Sequence, residues 1–448
     1  MKRLTVGILL LMCVFLSGFF FHRGNQNREY DVSGMQPCII LNFLGFRYDS
    51  DNRAALERLL SLYSERHPDK FVSYEGIPPA EYGRVLSQRL KMKSADDVFM
   101  VPPILARRYA AEGRLAPFKG IPALKAYRPE VLEQMKLEGD IRYATTSLGA
   151  FGLFCNLDML EKEGLSVPRN MAEFGAICGY FLRKEVTPVA FAGREPLKAL
   201  VVAGLFEPSV SGDADSFFVS LETVPGRLEI ALMESLDRLA ALRERGWLRP
   251  GDVRGGDDGE PPLSFTRGET PFMLGGSWHA VRLARKPPSF RYAAYPLPAS
   301  EDRAVVVLGL DTPLAVNAES GYLEQAVQLV GILTSPENIE IFTSGQGLLS
   351  PLRGGFPADK ALRPLWEGVE EGRAVFHSDI RLRYPVWECL DAGVDMVLAG
   401  GQAREAAERV AREAAEMSIG GNREDSVSRW LPLWRCFLSC CAGYRSTS

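Results

Sequence analysis

The residues with the most chemistry to offer are eight cysteines and four histidines. Their spacing supports little of it. His22, His67, His279 and His377 stand apart from one another and from paired cysteines, so no zinc-ligand pattern exists. Cys38, Cys155, Cys178 and Cys389 are singletons, and Cys436, Cys440 and Cys441 cluster near the end; this gives no disulfide framework, and a buried thiol is the simplest reading of each singleton. There is no G-x-S-x-G elbow, no Walker A and no dinucleotide fingerprint followed by an acid. The acid pairs Asp96–Asp97 and Asp257–Asp258 are adjacent in sequence. On a strand such neighbours point to opposite faces, so Asp96 and Asp97 cannot flank one bond. The sequence reads as a protein that is not an enzyme and needs no cofactor or metal. The chemistry left to it is recognition.

Recognition needs a scaffold, and the periodicity supplies one. Cys38–Phe43, Phe71–Tyr74 and Ala95–Met100 read as short buried strands, separated by amphipathic helices over Asn52–Arg66 and Ala80–Met92. That order predicts a parallel sheet with right-handed crossovers, in an α/β fold. Ligands of such sheets sit beyond the carboxyl ends of strands, which singles out two loops: Gly45–Arg47 and Met100–Ile104. Further helices are expected over Ala106–Gly113, Met171–Leu182, Leu197–Leu205, Glu229–Arg245, Tyr322–Thr334 and Ala403–Met417. Strands are expected over Pro188–Phe191, Tyr292–Leu297 and Ala304–Leu310. Val210–Asp215 reads as a polar loop and Gly251–Pro262 as a mobile one. At 448 residues two lobes are the prior.

The N-terminus carries a compartment signal. Lys2-Arg3 precede an uncharged apolar run from Leu4 to Phe21, the pattern of a signal peptide or uncleaved anchor. A polar linker follows over 23–35. The protein is therefore expected outside the cytoplasm. A net charge of −4 and a pI near 5.8 argue against a nucleic-acid partner. The aromatic, basic and cysteine-rich tail 426–448 reads as a loosely packed extension or a membrane-surface contact.

Two stretches carry a family resemblance. In Asn156–Phe174, the residues Asn156, Asp158, Glu161, Gly164, Leu165, Pro168, Glu173 and Phe174 stand in the order Y-N-K-D-L-F-E-K-A-G-L-x-x-P-x-T-W-x-E-F. Phe265, Gly268, Met273, Gly276, Ser277 and Trp278 match F-x-x-G-K-A-A-M-x-x-x-G-S-W. Tyr295–Pro298, Ser335–Glu337 and Gly345–Arg353 add weaker matches. These resemble the extracellular solute-binding proteins of ABC importers, sugar-binding type, over about residues 38–420. The Val101-Pro102-Pro103-Ile104 loop departs from the polar loop usual in sugar binders.

The resemblance implies a two-lobed periplasmic-binding-protein-like fold of type II, each lobe a sheet flanked by helices around a multi-segment hinge. Lobe one would comprise 36–146 and 310–353, and lobe two 147–309 and 354–425. The implied partners are a small-molecule solute, a carbohydrate or related polyol, and the membrane subunits of an ABC permease, with a membrane contact through the N-terminal segment. A membrane-tethered ligand sensor with the same fold is the alternative. The candidate ligand-binding residues are Phe46 and Arg47 after the first strand, Tyr82, Ser147 and Phe151 at the crossover, Trp278, Asp311 at a strand end, and Trp387. Each has a plainer reading: packing for the aromatics, a solvated surface position for Arg47, a cap for Asp311.

Overall fold

The computed structural model describes residues 38–419, apart from 49, 192, 249–259, 345 and 358. The expectations for residues 1–37, for nearly all of the 251–262 loop and for the 426–448 tail lie outside the described residues. Among the described residues no helix is long and apolar enough to cross a membrane.

The chain opens as the periodicity predicts. Strands β1 (Ile39–Gly45), β2 (Lys70–Gly76) and β3 (Val98–Met100) alternate with helices α1 (Ser50–Arg66) and α2 (Pro79–Lys91). β1 pairs in parallel with both of its neighbours, and helical crossovers are what parallel pairing requires. A third helix, α3 (Pro103–Ala111), starts directly on a proline. The fixed proline φ suits the first helical position, so Pro103 and Ile104 of the expected Met100–Ile104 loop are helix instead.

Two 13-residue strands organise the remainder: β4 (Ala144–Asn156) early, and a later return. Between them lie β5 (Val189–Phe191), β6 (Phe272–Gly276) and β7 (Tyr292–Tyr295); the return is β8 (Ala304–Val316), and β9 (Ala374–Phe376) follows. The sheet order is β2-β1-β3-β8-β4-β6-β5, with β7 also on β4 and β9 also on β8. β8 runs six residues past the expected Leu310. Asp311, Thr312 and Pro313 look like a break, but one antiparallel register with β4 continues through them, from Val307–Phe151 to Leu314–Ala144. The far end of β8 pairs with β3, and its beginning pairs with β9. The second half of β4 pairs with β6 and β7. The β4–β8 ladder thus links two groups of strands. All of β8 is buried, and every residue of β4 except Gly149. Their near-continuous apolar runs suit strands covered on both faces.

Helices α4 (Met171–Arg183), α5 (Glu195–Phe206) and α6 (Arg227–Glu244) pack with the later α8 (Val386–Leu398) and α9 (Ala403–Ile419) into one core, around Phe174, Phe206, Leu236, Leu390 and Val410. α7 (Trp278–Arg285) lies across the sheet from them, in a core continuous with that of the first strands through Met273 and Ala280. Local signals held where the chemistry is local. The Asn156 and Asn170 side chains accept the Met159 and Glu173 backbone N–H groups, each at 2.9 Å. Such caps contribute about 1 kcal/mol each. The expected polar loop over Val210–Asp215 is a correction. Helices occupy Pro208–Ser211 and Ala214–Thr223, the second capped by Asp213 and anchored by buried Phe218 and Leu221.

Candidate ligand site

Alternate positions of a strand share a face, so the β4–β8 register aligns three pairs on one side: Ser147 with Asp311, Gly149 with Gly309, and Phe151 with Val307. The character of that face changes along its length.

At the first end it is charged. Arg47, leaving β1, is 1% exposed, and its Nη2 lies 2.6 Å from Asp311 Oδ2. The same carboxylate oxygen accepts the Ser147 and Thr312 hydroxyls, each at 2.9 Å. Arg47 also donates to Thr312 Oγ1, from Nη2 at 2.6 Å and from Nε at 3.2 Å. Thr312 has φ +47°, an unusual conformation for a β-branched residue, and its hydroxyl is held from both sides by the ion pair.

In the middle the face is bare backbone. A Cβ at Gly309 would lie 2.2 Å from His377 Nε2, and one at Gly276 would lie 2.1 Å from the Trp278 ring. Glycine at these places lets two rings lie directly against the strands.

At the second end it is aromatic. Phe151 meets Trp278 edge-on at 5.2 Å and Trp387 at 5.6 Å. His377 stacks on Trp387 with centroids 4.2 Å apart, and Lys198 Nζ lies 4.4 Å from the centre of the Trp387 ring. Lys198 is buried and ion-paired to Glu195 at 3.2 Å and Asp391 at 3.4 Å. Burial, then the Lys198 charge, push His377 down to about 3, so its ring is neutral near pH 7. The start of α7 is set by the Ser277 N–H donating to the Ala150 carbonyl at 2.7 Å and the Gly276 N–H donating to His279 Nδ1 at 3.0 Å. The indole Nε1 atoms of Trp278 and Trp387 are buried and have no acceptor among the described residues. Buried donors are rarely left so.

A cleft opens beside this cluster, and His377 belongs to both. One wall is Pro103, Ile104 and Arg107 of α3; the other is the segment from His377 to Glu388. That segment is tied to the first group of strands. Gln134 accepts the Ile380 N–H at 2.8 Å and donates to Asp379 at 3.1 Å, and Arg107 Nη2 donates to the Ile380 carbonyl at 2.7 Å. It then enters α8, whose first turn carries Trp387 and Glu388.

The eight residues expected from sequence therefore divide. Phe46 and Tyr82 are core; their rings meet edge-on, and the Tyr82 hydroxyl donates to the Met100 carbonyl at 2.6 Å. Arg47, Ser147 and Asp311 meet as the buried polar cluster. Phe151, Trp278 and Trp387 meet as the aromatic cluster, of which only Trp278 keeps appreciable exposure. Arg107, His377, Tyr384 and Glu388 line the cleft and were not anticipated. The sequence holds one cue for them, a run of charged and aromatic residues over 379–388 that leads into Trp387.

Residues 49–340 match the bacterial extracellular solute-binding proteins, and the chain belongs to that family. Its function is that of the class, the solute-binding component of an ABC transporter. The fold is similar to that of apo RafE from Streptococcus pneumoniae, with a TM-score of 0.70 and 18% identity over 90% of this chain and 100% of that one. RafE in complex with raffinose gives a TM-score of 0.68 at 17% identity, covering 88% and 100%. A sugar transporter from Bacillus licheniformis in complex with stachyose gives 0.66 at 16%, covering 84% and 100%. The two-lobed α/β fold implied by the motifs is the fold found. No curated protein sequence matches the chain.

Proposed function

We propose that the solute is a carbohydrate, held in the cleft between α3 and the 377–388 segment with Trp278 as a stacking surface. The observation that carries this reading is the aromatic cluster at the β4–β8 crossing, of which Trp278 keeps appreciable exposure beside the cleft. A hydroxylated ring offers an apolar face to a partly exposed aromatic side chain, and its hydroxyls can accept from Arg107 and donate to Glu388 in the cleft. Similar folds crystallised with raffinose and stachyose support the same class.

In this reading the lobes are 36–146 with 310–353 and 147–309 with 354–425, closing on the ligand as rigid halves. No covalent chemistry takes part. The closed form presents the sugar to a permease from outside the cytoplasm. The N-terminal segment 1–22 serves as signal or anchor. Arg47, Ser147 and Asp311 brace the crossing, and Phe46 and Tyr82 pack beneath it.

Thermal unfolding with raffinose, stachyose and related sugars tests the proposal. A ligand at a hundred times its Kd stabilises by about 2.7 kcal/mol, which raises Tm of a chain this long by about 3 °C. Trp278→Ala is expected to weaken a ligand so found at least tenfold, about 1.4 kcal/mol. Unchanged affinity in that variant would move the site elsewhere.

A further inference from the structure

Four charged side chains line the cleft: Arg107, Asp379, Arg383 and Glu388. Two of them are spent on protein partners. Asp379 is ion-paired to Arg381 at 2.7 Å and accepts from Gln134 at 3.1 Å. Arg383 is paired to Glu222 at 3.7 Å. Arg107 and Glu388 have no ion-pair partner within 4.0 Å among the described residues, and they do not pair with each other. Arg107 lines the cleft with its guanidinium oriented by a bond from Nη2 to the Ile380 carbonyl at 2.7 Å; the guanidinium carries further donors. Both side chains are half-buried, on opposite walls of one cavity. Each also feels the other. Burial lowers the Arg107 pKa, opposed by Tyr143, Glu222, Asp379 and, least, Glu388; burial raises the Glu388 pKa, opposed by a backbone hydrogen bond, by Lys198 and, least, by Arg107.

Resting on the carbohydrate reading, we propose that Arg107 and Glu388 are the specificity-determining residues of the cleft: a charge-balanced pair that selects an uncharged polyol and rejects acidic and amino sugars. Adjacent hydroxyls can accept from the guanidinium and donate to the carboxylate at the same time. An added carboxylate on the ligand meets Glu388 in a partly desolvated site, and an added ammonium meets Arg107. In each case the like charge is the element that discriminates.

The test is isothermal titration of the intact chain with three trimers of different charge: raffinose, trigalacturonic acid and the glucosamine trimer. The wild type is expected to bind raffinose at least tenfold more tightly than either charged trimer. Glu388→Gln should narrow the gap for the acid at least fivefold, and Arg107→Gln the gap for the amine. Glu388→Asp and Arg107→Lys keep the charge and should keep the discrimination. Thermal unfolding without ligand reports whether each variant folds. If raffinose binds and neither charge-removing variant alters affinity or discrimination, the inference falls and the carbohydrate reading stands. Preference for a charged trimer in the wild type overturns the inference as well. If no trimer binds, the inference falls, and the carbohydrate reading is decided by the thermal-unfolding series with stachyose and related sugars.

Discussion

Replacing Arg47 with methionine keeps most of the side-chain volume and removes the guanidinium that faces Asp311 across 2.6 Å. Both groups are buried, and Asp311 would keep only the Ser147 and Thr312 hydroxyls, each at 2.9 Å. Removing one partner of a buried ion pair costs about 3–5 kcal/mol. The two surviving hydroxyl bonds place this case near the lower end, about 3 kcal/mol. At about 2.1 cal/mol/K per residue the unfolding entropy of this chain is about 0.8–0.9 kcal/mol/K, so the fall in Tm is about 3–4 °C. Asp311→Asn should also destabilise, because the carboxylate that faces the buried Arg47 guanidinium at 2.6 Å becomes a neutral amide. The double variant should lose at least about 1 kcal/mol less than the sum of the two, since the second change removes a group already deprived of its partner. Thermal and urea unfolding of the four proteins complete the cycle. The reasoning is refuted if Arg47→Met leaves Tm within about 2 °C of wild type, or if the two losses simply add. A third outcome, weakened sugar binding at unchanged Tm, would make Arg47 a ligand contact and not a brace.

Two further perturbations probe the centre of the crossing. Gly309→Ala drives a methyl group to within 2.2 Å of His377 Nε2, so the ring must leave its stack on Trp387. The expected loss is about 1–3 kcal/mol. His377→Ala in the same chain should restore part of it, and an additive double loss in urea unfolding would show that the two positions do not clash. His377 also links stability to pH. Its folded pKa is pushed down to about 3 against an ordinary 6.5, so between those values the unfolded chain binds the extra proton and stability falls as pH falls. From pH 7 to pH 5 this amounts to about 2 kcal/mol. His377→Gln should remove that share of the slope in denaturation series at pH 7, 6 and 5, and parallel curves for the two proteins would sink the assignment.

Much of this protein is written in short windows of its sequence. The strand–helix alternation from Ile39 to Lys91, the Asn170 cap and the turn at Gly164 (φ +65°) depend on residues a few places apart, and their periodicity was legible. So was the family, because its motifs are local runs. Where local signals conflict, the sequence misleads. Asp311-Thr312-Pro313 reads as the end of a strand, yet β8 continues because β4 supplies a full ladder opposite it.

What a side chain does at the site was decided elsewhere. Arg47 and Asp311 lie 264 residues apart, and only the folded chain pairs them and thereby takes both from the surface positions that their charge suggests. Trp278 and Trp387 meet around Phe151 because three distant segments converge on one face of two strands. Arg107 and Glu388, far apart in sequence, line one cleft because α3 and the 377–388 segment lie against each other, while Asp379 and Arg383 beside them pair with Arg381 and Glu222. Periodicity reports which face of an element is apolar. Which polar groups remain for a ligand depends on how every other polar group found its partner, and only the tertiary structure decides that.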